Sequence, residues 1–461
     1  EIFVRKGTEW SSGVEVSVTP VNVVPTVLKT GDLLLIAYDN QFVPAGDGTI
    51  RLLTLVDINP GTKFLWANTT YETGGNPAAN VRTDKWYECT TSPTGNVPFI
   101  EFTYSGSTVI PAASVFCITT AVSGTAGTTI SAVSPSGTSF TSFSIQGRTA
   151  DGTILTDHAS INVSTTNPDS MFLMQGYFNY DPAGSTFVGT ILSGVQDGGL
   201  WYNLSDNLTS ISGANLRRSR KHPALECASL QANSTTGPYE RSYNVSSSAY
   251  TTGNRPYLIG SILNYTTNWV TSYGTCPSPS PFVITASDPF NKWTGTSDTN
   301  WFNCNNWALL TVPDEFTDVQ IDATATNDCN ISYLAANSDL YLDIAQCKDL
   351  TINGRKLMLN GSSNNKIEVY GNLTIGASGA LETSDNTSGT PDGQIYLYGN
   401  WTNNASTGET AYKQGDGTVH FKGSTNQIIN NVSSYGTEVF YNVVLDNNFL
   451  TSVSNDLIAE G

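Results

Sequence analysis

From about residue 340 onward the chain keeps returning to one pattern, short apolar runs closed by Asn-Gly or Gly-Asn turns. Leu350-Thr351-Ile352-Asn353-Gly354, Lys356-Leu357-Met358-Leu359-Asn360-Gly361 and Lys366-Ile367-Glu368-Val369-Tyr370-Gly371-Asn372 follow one another. Tyr370-Gly371-Asn372-Leu373-Thr374 then recurs as Tyr398-Gly399-Asn400-Trp401-Thr402, and Val419-His420-Phe421-Lys422-Gly423 is a third related stretch. Short strands with turns at repeated intervals imply a solenoid, most simply a parallel β-helix, whose coils bury apolar side chains only by stacking on their neighbours. One coil alone would not be stable.

The rest of the chain also lacks helical periodicity. No stretch of twelve or more residues carries apolar positions at i, i+3, i+4 and i+7 free of Gly, Pro or β-branched runs. Val14-Glu15-Val16-Ser17-Val18, Phe99-Ile100-Glu101-Phe102-Thr103-Tyr104 and Phe143-Ser144-Ile145, each bounded by Gly, Pro, Asn or Ser, have the spacing of a β-sandwich. At 461 residues two or more domains are expected. The clearest boundary is Cys276-Pro277-Ser278-Pro279-Ser280-Pro281, whose alternating prolines favour a stiff, extended connector. The reading is therefore all-β: a β-sandwich-like domain over 1–275, a Pro-rich linker over 276–290, a small Trp-containing module over 291–339 and parallel β-helix or solenoid repeats over 340–461. Trp293, Trp301 and Trp307 are assigned to packing.

Charge narrows the partners. The 21 basic and 39 acidic residues leave a formal charge of −18, which repels phosphate backbones and anionic membranes, so nucleic acid is not an expected partner. The longest apolar run, Leu33-Leu34-Leu35-Ile36-Ala37-Tyr38, is strand length, so direct membrane insertion is not expected. The sequence opens Glu1-Ile2-Phe3-Val4 without an initiator Met or a charged-then-apolar leader, and it stops at Gly461 within the repeating pattern. The expectation is the front portion of a longer, exported chain after signal-peptide removal. Seven cysteines, at 89, 117, 227, 276, 304, 329 and 347, form no CxxC pair and have no His at zinc-ligand spacing. In an exported protein they imply disulfides plus one odd thiol. Spacing does not fix the connectivity; the expected pair is Cys304 with Cys329.

The stretch Trp293 to Ile321, with Asn306-Trp307, Val312-Pro313 and Thr317-Asp318-Val319-Gln320-Ile321 leading into Leu350-Thr351-Ile352, resembles the β-helix segments of large secreted surface proteins of Bacteroidetes. Such proteins are typically exported by the type 9 secretion system and include gliding-motility adhesins. Phe440-Tyr441-Asn442-Val443-Val444-Leu445 resembles the strand phrase that closes a coil in that family. The front region, with Gly31-Asp32, Ala37-Tyr38-Asp39, Leu55-Val56-Asp57-Ile58, Pro60-Gly61-Thr62, Gln175-Gly176 and Asn268-Trp269, resembles a β-rich domain common at the start of bacterial extracellular proteins. That the family's C-terminal sorting domain is not met before Gly461 fits the expectation of a truncated chain. Asp169-Ser170-Met171 resembles the O-glycosylation phrase of Bacteroidetes and makes Ser170 the candidate acceptor.

Catalytic chemistry finds little support. His158, His222 and His420 stand far apart without a Ser or Cys motif beside them, and no Gly-x-Ser-x-Gly elbow is present. Glu368, Glu382, Asp385, Asp392, His420 and Lys422 are the ionisable residues a polysaccharide-cleaving groove on the solenoid would draw on, and the sequence brings no two of them together. No cofactor is expected other than structural calcium, for which Asp39, Asn40 and Asp47 supply hard oxygen donors; Asp385-Asn386 with Asp392-Gly393 is a second such loop. Turn formation, which needs positive φ and local side-chain hydrogen bonds, is the other account of these residues. Arg217, Arg218, Arg220 and Lys221 form a basic cluster suited to an anionic glycan or a protein partner, or simply a solvated loop. The resulting expectation is a non-enzymatic, extracellular cell-surface adhesin or stalk protein, its partner a surface glycan or a protein of the outer membrane or secretion machinery. A structural subunit of a filament or surface layer and a polysaccharide-degrading enzyme are the alternatives.

Overall fold

The computed structural model describes residues 5–6, 9–10, 23–39, 48–81, 83–120, 128–155, 169–197, 201–203, 205–212, 215–216, 218–225, 227–232, 240–243, 245–246, 248–263, 268–270, 276–277, 279–285, 290–332, 344–359, 364–383, 393–405, 411–431, 437–446, 450–453 and 456–459. The chain is mostly β, with antiparallel sheets in its N-terminal part and a parallel β-solenoid of about 5 turns in its C-terminal part. The expected strand at Val14–Val18 lies outside the described residues.

The front part is two sheets face to face. The first runs, edge to edge, Ser139–Phe140, Thr129–Val133, Val115–Thr120, Gly48–Thr54, Leu33–Asp39, Glu240–Tyr243 and Trp269–Val270, every neighbour antiparallel. The second runs Phe143–Thr149, Pro98–Tyr104, Lys63–Tyr71, Asp169–Asn179, Thr186–Asp197 and Ser229–Ala232, with Trp86–Glu88 paired to Lys63–Tyr71 off this path. Successive side chains of a strand point to opposite faces. Phe64 and Trp66 accordingly enter the core between the sheets, beside Ile100, Phe102 and Phe116, while Leu65 and Ala67 enter a second core with Trp86, Phe172 and Trp201. Strand Lys63–Tyr71 is thus covered on both faces, which explains why its residues after Lys63 are all buried. Each such aromatic contributes about 1.5–3 kcal/mol by leaving water.

The sandwich does not stop at residue 275. Cys276 is bonded to Cys117 on strand Val115–Thr120, Ser280 donates its N–H to the Ser134 carbonyl at 3.0 Å and its hydroxyl to the Ala113 carbonyl at 2.6 Å, and Phe282 is fully buried in the front core. The Pro-rich stretch is therefore bolted along the sandwich and is no free connector. Proline fixes φ and so extends the backbone, but what that backbone lies against is decided by its neighbours.

The Trp-containing module is the first coil of the solenoid. Asn291–Lys292 pairs in parallel with Val319–Asp322, and the same sheet continues through Leu350–Asn353, Leu373–Ile375, Trp401–Asn403, Gln427–Asn431 and Leu450–Val453. A second parallel sheet holds Cys329–Asn330, Lys356–Met358, Ala380–Glu382 and Tyr412–Lys413; a third holds Ala345–Cys347, Lys366–Val369, Gln394–Leu397, Thr418–Phe421 and Asn442–Leu445. Inward columns such as Val319, Leu350, Leu373, Trp401 and Ile429 form one continuous core, joined at its start by the buried Trp293, Trp301 and Trp307.

The repeated Gly-Asn phrase has a physical cause. The Asp349 carboxylate accepts the Asn372 N–H at 2.6 Å, the Asn372 side-chain oxygen accepts the Asn400 N–H at 2.9 Å, and Asn400 accepts the Ile428 N–H at 2.8 Å. Each coil thereby satisfies a turn donor of the next, which strand pairing alone leaves open. The residue before each Asn must be small: a Cβ on Gly399 would lie 2.2 Å from the Gly371 carbonyl oxygen.

Candidate functional site

Of the basic cluster, Arg220 is taken up inside the protein. Its guanidinium spends all five N–H groups there. Nη1 donates to Glu72 Oε2 at 2.8 Å and to the Val81 carbonyl at 2.6 Å, Nη2 to the Ala78 and Asp206 carbonyls at 3.2 and 2.7 Å, and Nε to the Asn203 carbonyl at 3.3 Å. Glu72 completes the arrangement by accepting the Thr83 and Asp84 N–H groups on Oε1 at 2.7 and 3.2 Å. The pair pins the loops that cover the second sheet. Arg218 turns elsewhere, its guanidinium 4.3 Å from the Tyr202 ring centre, Lys221 is half-buried, and Arg217 lies outside the described residues. His222 packs against Tyr71 and Trp86 beside this staple, and His158 lies outside the described residues.

Three further expectations are corrected or fall outside view. Ser170 is no glycosylation acceptor in the folded chain: it is fully buried on strand Asp169–Asn179, its hydroxyl donating to Gln196 Oε1 at 2.7 Å. Cys304 pairs with Cys227 and not with Cys329, and three cysteines, Cys89, Cys329 and Cys347, are buried thiols where one odd thiol was expected. Cys329 occupies the inward column that continues through Leu357 and Leu381, so it serves as a small apolar core residue, and burial raises its thiol pKa far above the usual range. Of the calcium residues, Asp39 ends strand Leu33–Asp39, while Asn40 and Asp47, like Asp385, Asn386 and Asp392, lie outside the described residues. Among the described residues no three His, Cys, Asp or Glu side chains gather as a metal site.

What the sequence left scattered, the third solenoid sheet brings together. Register places Gln346, Glu368, Tyr396 and His420 in one outward column, with Tyr370, Tyr398 and Lys422 following at the strand ends. Tyr370 stacks on Tyr398 with ring centres 4.9 Å apart and planes within 3°, and Tyr396 stacks on His420 at 4.4 Å and 12°. That separation is the spacing of neighbouring strands, so parallel pairing itself sets the stacks. Glu368 Oε2 accepts from the Tyr370 hydroxyl at 2.7 Å and from Gln346 Nε2 at 2.9 Å, the Tyr396 hydroxyl donates to Gln394 Oε1 at 2.6 Å, and the Lys422 ammonium sits 5.1 Å from the Tyr396 ring centre.

Burial and then the Glu368 carboxylate push the Tyr370 hydroxyl well above its ordinary range, and the same two causes raise Tyr398. Burial and then Glu368 and Asp446 raise Tyr396, and burial lowers His420 against the pull of Asp446. The tyrosines are thus neutral hydrogen-bonding groups at physiological pH. Because the rings cover one another's faces, the ridge offers edges, hydroxyls, amides and a carboxylate, and not an open aromatic platform.

On the second sheet Glu382, almost fully buried, is held by Lys356 at 2.8 Å and Lys413 at 3.1 Å. Burial would raise its carboxyl, but the two lysines outweigh that and hold it below the usual carboxylate range.

Two disulfides point to an oxidising compartment, and among the described residues no helix is long and apolar enough to cross a membrane. Compared with known proteins, the chain matches no family model, and neither a curated protein nor a solved structure is significantly similar to it.

Proposed function

We propose that the protein is a secreted cell-surface adhesin or stalk protein that presents a binding surface away from the outer membrane. The observation that carries this reading is the seating of the sandwich on the first coil. Cys227 of the sandwich is bonded to Cys304 of that coil, the Lys29 ammonium pairs with the Asp314 carboxylate, and Leu310 packs against the front core. A solenoid end occupied by the sandwich in this way is less open to another copy, which disfavours a head-to-tail filament subunit. The two disulfides favour export, and the likeness of the coil phrases to Bacteroidetes surface proteins favours a type 9 secretion route. The partner we propose is a surface glycan, met by the ridge from Gln346 to His420, since neutral hydroxyls and amides in ordered columns match a polyhydroxylated chain better than a phosphate polymer.

Sedimentation of the whole chain together with a glycan array tests this. A monomer that retains oligosaccharides, and loses them in a Tyr370→Ala, Tyr398→Ala double variant, supports the adhesin. Concentration-dependent polymers would move the filament reading ahead. Shortening of a retained polysaccharide would move the enzyme ahead.

A further inference from the structure

The two disulfides land on different sheets of the sandwich. Cys117 lies on strand Val115–Thr120 of the first sheet and holds Cys276, from which the backbone runs through the buried Phe282 to the first solenoid strand at Asn291. Cys227 lies just before strand Ser229–Ala232, the edge of the second sheet, and holds Cys304 of the first coil. Cys304 opens the short helical turn Cys304–Asn306 between Trp301 and Trp307, which are buried and joined by a 2.7 Å bond from Trp307 Nε1 to the Trp301 carbonyl. The Cys117 attachment thus starts from an interior strand of the first sheet, and the Cys227 attachment joins the edge of the second sheet to the Trp core of the first coil.

We propose that the Cys227–Cys304 bridge is a torsion lock. One attachment, through the backbone after Cys276, would let the sandwich swing and twist on the coils, as joined domains do by default. A second attachment to the opposite sheet removes that freedom and makes sandwich and coils a single rigid lever. Lys29 adds a third contact, its ammonium lying 5.0 Å from the Phe316 ring centre as well as pairing with Asp314, but it is half-exposed and works as a guide rather than a bond. Cys227 and Cys304 are each 6% exposed, so folded protein shields the bridge from reductants and the lock stays closed. The inference concerns how a bound load is transmitted and holds whatever the ligand is.

A peptide map of the unreduced full chain comes first: a peptide linking Cys227 to Cys304 is required, and its absence overturns the proposal. Single-molecule energy transfer follows, with dyes on genetically encoded amino acids at the exposed Val109 of the sandwich and Ile428 of the solenoid. Wild type should give one narrow distance distribution. Cys227→Ser with Cys304→Ser should broaden it about twofold while strand content stays unchanged, as expected when one of the two covalent attachments is cut. An unchanged width overturns the lock. Lys29→Ala with Asp314→Ala, bridge intact, should stay narrow; broadening equal to that of the cysteine pair would transfer the role to the ion pair and overturn the proposal. Should the serine pair fail to fold, Cys227→Ala with Cys304→Ala, which buries no new hydroxyl, is read in the same way.

Discussion

Glu72 and Arg220 meet 2.8 Å apart with side-chain exposures of 0% and 1%, although 148 positions separate them in sequence. A buried pair is costly to form and more costly to break, because the surviving partner is left charged without water. Arg220→Ala should therefore lower the stability of the sandwich by about 3–5 kcal/mol in urea unfolding. Lysine should not rescue it, since three donors replace five. Removing both charges, with Glu72→Gln and Arg220→Met, should cost less than Arg220→Ala alone; an equal or larger loss would show that the pair's charges are not what the site depends on.

The Asn and Gly columns make a paired prediction for glycine. Gly399→Ala drives a methyl into the Gly371 carbonyl and should destabilise the solenoid by about 1–3 kcal/mol. Gly260, within helix Arg255–Leu263, has its nearest neighbour 3.9 Å from a Cβ, so Gly260→Ala should stabilise by up to about 1 kcal/mol. Thermal melting of the two variants, read against wild type, checks the opposite signs.

Glu382 gives the solenoid an acid-side dependence. Its folded pKa lies below the ordinary 4.5, so its contribution is complete above that value and is lost as pH falls through the lower, folded one. Melting temperature should fall on titration from pH 6 to pH 3 (an interval of about 3 units around the reference carboxylate values). Lys356→Met with Lys413→Met should flatten that decline. An unchanged slope would remove Glu382 from the explanation.

Thiol counting tests the cysteine assignment. Cys89, Cys329 and Cys347 are buried, and burial keeps the last two in the unreactive thiol form. A thiol reagent should find essentially none in the native chain and three after denaturation without reductant. One reactive thiol would restore the odd-cysteine expectation.

Much of this fold could be read ahead of the structure, and the reasons are local. Strand period, turn residues and the Tyr-Gly-Asn echo are properties of neighbours in sequence, and they were enough for a sandwich, a solenoid and the burial of Trp293, Trp301 and Trp307. The misreadings share the opposite cause. Arg220 sits in a run of basic residues that looks solvated, and its burial depends on Glu72, Ala78 and Val81 closing over it from far upstream. Cys329 looks like a disulfide partner until register places it in a column of leucines. The tyrosine ridge left a faint trace, since Tyr370 and Tyr398 open the two echoed phrases, but Tyr396 and His420 become neighbours only through parallel pairing of their strands.

The ladder from Asp349 through Asn372 to Asn400 joins like position to like position on successive coils. A whole coil duplicated within this region would bring its own acceptor and its own small residue, and would receive its missing partner from the coil before it. Lengthening such a rod requires no new interaction to be invented, so its length can grow by copying alone while both of its ends stay as they were.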